Sequence, residues 1–176
     1  MAENKVFTFN NVLPYHIART LLVIIPCLIL YGALYYFLFK GIFRLSFVMF
    51  FTLFYFGTCY LVLKALSVKV KMWFDENYFY IQKGKQSPEK YSKTDIEGFY
   101  AYDYETKAAS LKSSKIYFRF CLKNKNDIYL NDVEYKNKYE EEKGNELTKF
   151  LKSAQKELHF SKTEKKSLQN IYWYSP

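Results

Sequence analysis

Thr20–Phe39 reads TLLVIIPCLILYGALYYFLF and Leu45–Leu63 reads LSFVMFFTLFYFGTCYLVL; only Lys40, Gly41, Ile42, Phe43 and Arg44 separate these two uncharged apolar runs. At about 1.5 Å per residue, each run is long enough as a helix to cross the ~30 Å hydrocarbon core of a bilayer. So short a connection permits only an antiparallel hairpin, which puts both ends of the chain on one side of the membrane. The sequence therefore reads as an α+β membrane protein in three parts. Residues 1–66 form a transmembrane helical hairpin with helices over about 15–39 and 45–65, residues 67–160 a sheet domain, and residues 161–176 a basic and aromatic tail.

Charge is divided along the same line. The chain has 176 residues, 26 Lys and Arg against 17 Asp and Glu, and a net charge of +9. Up to Leu63 the charged side chains are Glu3, Lys5, Arg19, Lys40 and Arg44. The loop offers Lys40 and Arg44, whereas the other side offers Lys5, Arg19, Lys64, Lys69 and Lys71, with Lys83 and Lys85 further on. Positive charge near helix ends marks the cytoplasmic side, so both termini are expected inside, in a multi-pass topology. Tyr15, Tyr35, Tyr36 and Tyr60 fall where the ends of the spans meet the interface that aromatic rings favour. No Asp, Glu, Lys or Arg lies within either span, which argues against an ion relay or a transport site.

Within the hairpin, Pro26 removes a backbone donor and is expected to kink the first helix. Depth matching around Ile42 sets Gly57 and Thr58 opposite Pro26, Thr52 opposite Gly32, and Cys27 level with Cys59. Small residues at matched depth predict close helix packing. The facing cysteines admit a disulfide or a soft-metal site, although buried free cysteine is the simpler expectation, and Cys121 suits a reducing compartment.

After Lys64 the apolar period becomes two, the mark of half-buried antiparallel strands. Val68, Val70, Met72 and Phe74 share one face, with Lys69, Lys71 and Trp73 on the other; Asp75, Glu76 and Asn77 turn the chain into a strand carrying Phe79 and Ile81 and ending at Gly84. Ile96, Tyr100, Tyr102 and Tyr104 then alternate with Asp95, Glu97, Phe99 and Asp103. The clearest strand sets Ile116, Phe118, Phe120 and Leu122 against Lys115, Tyr117, Arg119, Cys121 and Lys123, and Asn124–Asp127 turn into Ile128–Leu130. Leu147, Phe150, Leu151, Ala154 and Leu158 make one helical stripe, with Asn137 and Glu140 as a capping box. This helix is expected to cover the open side of the sheet.

A transmembrane hairpin, then Trp73–Ile81, a Tyr91-Ser92-Lys93-Thr94-Asp95-Ile96 segment, a β-hairpin and a closing helix resembles the membrane-anchored bacterial proteins with a pleckstrin-homology-like (YcxB-like) cytoplasmic domain. The Trp often seen before the Ser-x-x-Asp-Ile stretch of that family is Tyr91 here. The resemblance implies a bent antiparallel sheet capped by one C-terminal amphipathic helix, acting as a binding or scaffolding module in the inner membrane of a bacterium.

The residues point away from catalysis. His16 and His159 are the only histidines, and no HExxH, P-loop, dinucleotide fingerprint, CxxC or nucleophile elbow occurs. Asp95, Glu97, Asp103 and Glu105 share one parity, which reads as a solvated strand face. No catalytic residue, cofactor or metal is expected. Nucleic acid is set aside because no recognition motif accompanies the basic charge.

Two partner classes remain. A protein partner, with the chain as a small subunit or regulator of a larger membrane assembly, is the preferred reading, and a sensor of anionic lipid is the alternative. The candidate contact residues are Lys64, Lys69, Lys71, Lys115, Arg119 and Lys123, with Tyr172, Trp173 and Tyr174 of the tail.

Overall fold

The computed structural model describes residues 5–102, 104, 117–123, 126–132, 141–163 and 171–176. They form two compact units, His16–Ser67 and Met1–Tyr15 with Val68–Pro176. The capping pair Asn137 and Glu140, and Lys115 of the candidate basic face, lie outside the described residues.

The first unit is the helical hairpin. A 3-10 turn, Ile17–Thr20, is capped by His16, whose Nδ1 accepts from Ala18 N at 3.1 Å. It leads into α1, Leu21–Phe39, and then α2, Leu45–Leu66. The turn between them is tight: Lys40 and Gly41 take φ of 45° and 77°, a left-handed pair that terminates α1. The Tyr35 hydroxyl donates to Ile42 O at 2.9 Å and pins it. Both helices are long and apolar enough to cross a membrane, and Cys59 is their one buried residue, unlike a core helix.

The two helices meet through aromatic rings at every fourth residue. Cys27, Tyr31, Tyr35 and Phe39 of α1 are half-buried, as are Phe47, Phe51 and Tyr55 of α2, and Cys59 is buried. Phe39 stacks on Phe47 at 4.5 Å between ring centres, Tyr35 meets Phe51 at 5.5 Å, and Tyr31 meets Tyr55 at 6.3 Å. Side chains four apart stack on one helical face, so this spacing makes a continuous seam.

The same register brings Cys27 and Cys59 together as free thiols, with Tyr55 beside them. The packing expected from small residues is corrected: Gly32, Thr52 and Gly57 are exposed, and nothing lies within 4 Å of a Cβ built on either glycine. These small residues face away from the seam, which Tyr31, Tyr35, Phe51, Tyr55 and the two cysteines occupy. Pro26 is exposed inside α1, and Thr58 bonds the Tyr31 hydroxyl at 2.7 Å.

The second unit is one antiparallel sheet. Among the described residues its strands are β1 (Phe7–Leu13), β2 (Val68–Phe74), β3 (Tyr78–Lys83), β4 (Glu89–Ser92), β5 (Ile96–Tyr102), β6 (Tyr117–Leu122), β7 (Ile128–Asp132), β8 (Ser161–Thr163) and β9 (Ile171–Ser175). Their order is β4-β3-β2-β1-β7-β6-β5-β9-β8. Among the described residues of this unit, one long helix, α3 (Glu141–Leu158), supplies the cover.

Two parts of the sheet were not legible in the sequence. Residues 7–13, read as part of the hairpin region, form a central strand, β1, paired with β2 on one side and β7 on the other. The hairpin is thus an insertion between two adjacent strands: the chain leaves β1 after Leu13 and returns in β2 at Val68, beside Val12. Residues 161–176, read as a tail, supply β8 and β9, and β9 pairs with β5. The covering helix is therefore followed by two strands rather than closing the fold.

Alternation holds along β2, β3 and β6, where the expected inward residues Val70, Met72, Phe74, Phe79, Ile81, Phe118, Phe120 and Leu122 are buried. In β5 it fails. A register shift between Ile96 and Gly98 inverts the parity, so Phe99 and Ala101 are buried and Tyr100 faces outward. A second irregularity, between Phe9 and Val12, sets Asn11 at φ 53° and returns Val12 to the core.

Phe150 of α3 is the centre of that core. Its ring lies 5.4 Å from Phe7 and Phe118, 5.9 Å from Phe74, 6.1 Å from Phe9 and Phe120, and 6.3 Å from Phe79. The apolar stripe of α3 is buried along its length, and Lys149, Lys152 and Lys156 are exposed. Phe150→Ala is expected to cost about 3–5 kcal/mol. Lys152→Ala should change stability by less than about 0.5 kcal/mol. Denaturant unfolding of the detergent-solubilised chain, followed by tryptophan fluorescence, measures both.

Candidate functional site

The sheet face opposite α3 carries two rows of aromatic and cationic side chains. The first crosses β2, β3 and β4. Trp73 is paired in register with Tyr80, and Tyr80 with Lys90. The Trp73 and Tyr80 rings stack 5.2 Å apart at an interplanar angle of 2°. Lys90 Nζ sits 3.5 Å from the centre of the Tyr78 ring and 6.0 Å from that of Tyr80, a cation–π arrangement. Lys69 and Lys71 are exposed on the same face of β2, four and two residues before Trp73.

Asp75 ends this row and is folded into the turn. Its Oδ1 accepts from Asn77 N at 2.9 Å and Tyr78 N at 2.6 Å. Partial burial pushes its carboxyl up, but hydrogen bonds from Tyr80, Tyr78 N and Asn77 N, aided by Lys90, outweigh that and hold it below the usual carboxylate range. Its hydrogen bond to Tyr80 raises the phenol correspondingly.

The second row crosses β7, β6, β5 and β9. Arg119 is in register with Tyr129 on one side and Tyr100 on the other, and Tyr100 with Trp173. The guanidinium carbon is 5.4 Å from the Tyr129 ring centre and 5.6 Å from that of Tyr100, and Nε donates to Asp127 Oδ2 at 2.7 Å. Trp173 packs 4.5 Å from Tyr100 and lies flat over Gly98. A Cβ at position 98 would collide with the indole and approach Tyr174 O to 2.6 Å, so glycine is required there.

The candidate contact residues do not form one patch. Lys69 and Lys71 are on β2, and Arg119 on β6, with β1 and β7 between them. At about 4.8 Å per strand, β2 and β6 are some 14 Å apart. Lys123 turns elsewhere, with Nζ donating to Thr94 O at 3.0 Å. Tyr174 is corrected from a contact residue to a core residue: it is fully buried and stacked 4.7 Å from Phe99. Tyr172 packs against the core edge, where Lys162 lies 3.9 Å over its ring. Lys64 belongs to the last turn of α2, with Nζ 5.8 Å from the Tyr60 ring centre.

A groove of about 560 Å³ lies beside the end of α3, lined by Lys93, Thr94, Lys123, Glu157 and His159 among others. Its groups already bond one another: Lys93 Nζ donates to Glu157 at 2.7 Å, and Ser92 and Thr94 hydroxyls pair at 2.8 Å. At the sheet edge, Glu89 accepts from Lys83 at 2.8 Å and Tyr91 at 2.7 Å, a structural clasp. Among the described residues no three His, Cys, Asp or Glu gather as they would around a metal ion.

Comparison with protein-family models, curated proteins and solved structures finds no match to this chain.

The alternation of β2 already placed Trp73 with Lys69 and Lys71. The partners Tyr78, Tyr80 and Lys90 were missed because cross-strand register is not written along a single strand.

Cys121 sits on the second row. Burial, with Asp127 and Glu97, pushes its thiol up to about 11 against the opposing pull of Arg119. At pH 8 its thiolate population, and with it the alkylation rate, should be about a hundredfold below that of an ordinary thiol. Iodoacetamide trapping of the folded C27S/C59S chain across pH checks this; the rate should climb until about pH 11, and unfolding should restore ordinary reactivity.

Proposed function

We propose that the chain is a non-catalytic, membrane-anchored binding module of the bacterial inner membrane, with the hairpin as anchor and a pleckstrin-homology-like sheet domain as recognition surface. The observation that carries this reading is the insertion of a long apolar hairpin between two paired strands, β1 and β2. Strands that pair at Val12 and Val68 cannot be separated by a bilayer, so a hairpin that spans must leave and return on one face. The charge bias of the flanking lysines sets that face inside.

Supporting the binding role, Asp75 is held in a turn, Lys83 with Glu89 and Lys93 with Glu157 form clasps, and Arg119 with Asp127 sits in a stacked row. The preferred partner is a protein, with the chain as a small subunit or regulator of a larger assembly. A second reading, recognition of anionic lipid, draws on Lys69, Lys71 and Trp73 sharing one outward face.

Sidedness tests the anchor. In a cysteine-free background, Phe43→Cys in the loop should react with a membrane-impermeant maleimide added to intact cells. Asn10→Cys and Gln82→Cys in the sheet should react only after permeabilisation. Release of the protein by an alkaline wash, or equal labelling of all three positions from outside, would contradict the proposal.

A further inference from the structure

We infer that the outward face of β2, β3 and β4, centred on Trp73 and Tyr80, docks on the anionic surface of the bilayer that holds the hairpin. The inference rests on the membrane-anchor reading and settles which face of the sheet meets lipid.

Four observations favour this face. Lys69 and Lys71 are exposed beside Trp73, and Lys90 flanks Tyr78 and Tyr80. Indole and phenol rings with a polar edge, interleaved with long cationic side chains, are the mixture that partitions to the headgroup layer. Lys69, Lys71 and Lys90 outnumber the two acids of the β2–β3 turn, the exposed Glu76 and Asp75, whose carboxylate is held in the turn by two backbone N–H groups, so the face keeps a net positive charge. The tether is short: only Ser67 separates α2 from β2, so Lys69 follows the last helical residue by three positions. A link of that length keeps this face at high effective concentration near the leaflet.

The second row lacks these properties. There Arg119 is clasped by Asp127 between two tyrosine rings, and Trp173 is pressed onto Gly98. The groove beside α3 belongs to a different edge, and a shallow cationic and aromatic surface suits a lipid sheet, which needs no pocket.

Trp73 and Trp173 are the only tryptophans in the chain, which makes the test direct. The full-length W173F chain is placed in nanodiscs carrying lipid brominated near the glycerol. The discs are either pure phosphatidylcholine or phosphatidylglycerol and phosphatidylcholine at roughly 1:2. Trp73 emission should fall about twofold more in the anionic discs, and K69E/K71E should abolish the difference, since each lysine near an anionic surface contributes about fivefold in binding. Equal emission in the two discs, or no quenching in either, overturns the inference.

Should W173F unfold, the difference between the wild-type chain and W73F reports the same residue. A chain that enters no nanodisc sinks the anchor reading instead, so the two failures are distinct.

Discussion

The antiparallel ladder between β1 and β2 is the constraint on which the rest of the molecule depends. It joins the first strand of the sheet to a strand that follows only after the whole helical hairpin. Closing a flexible loop of roughly fifty residues carries a substantial entropy cost. The hairpin lowers that cost, because its aromatic seam already brings the ends of α1 and α2 together. Phe39 on Phe47, Tyr35 on Phe51 and Tyr31 on Tyr55 align the two helices from the loop to their middle, and Cys27 beside Cys59 continues the seam. Hairpin and sheet are thus coupled through connectivity: the sheet is incomplete without the residues before the hairpin.

Phe150 provides the complementary constraint from the other end of the chain. One ring on α3 touches phenylalanines of β1, β2, β3 and β6, so the helix reads the sheet across its central strands. Tyr174 does the same for the far edge, seated between Phe99 at 4.7 Å and Tyr104 at 5.1 Å. These inward rings leave the opposite face to Trp73, Tyr80, Tyr100, Tyr129 and the cations among them. The core and the outward aromatic and cationic rows are therefore alternate residues of the same strands.

Much of this was legible in the sequence, because the signals were periodic. Helix limits near 39, 45 and 65, the stripe Leu147–Leu158, and the inward residues of β2, β3 and β6 all follow from spacing. What was missed has physical reasons. Phe7–Leu13 is a short strand whose alternation breaks at Asn10 and Asn11, where the backbone irregularity lies, and it abuts a far stronger apolar signal. Tyr100 was assigned inward because a register shift at Gly98 cannot be seen from alternation alone. The helix seam was assigned to small residues by depth, whereas every-fourth spacing of Tyr31, Tyr35 and Phe39 was the better guide. The basic patch was split because strand order, not sequence proximity, decides which lysines and arginines are neighbours.

This architecture means that the sheet cannot be detached simply by cutting after the hairpin. The direct measurement compares two soluble variants by the amide dispersion of their NMR spectra. One lacks residues 1–67; the other keeps β1 and replaces residues 14–67 with a turn of about four residues that includes glycine. A dispersed, folded spectrum is expected only for the chain that keeps β1. A folded spectrum from residues 68–176 alone would contradict it.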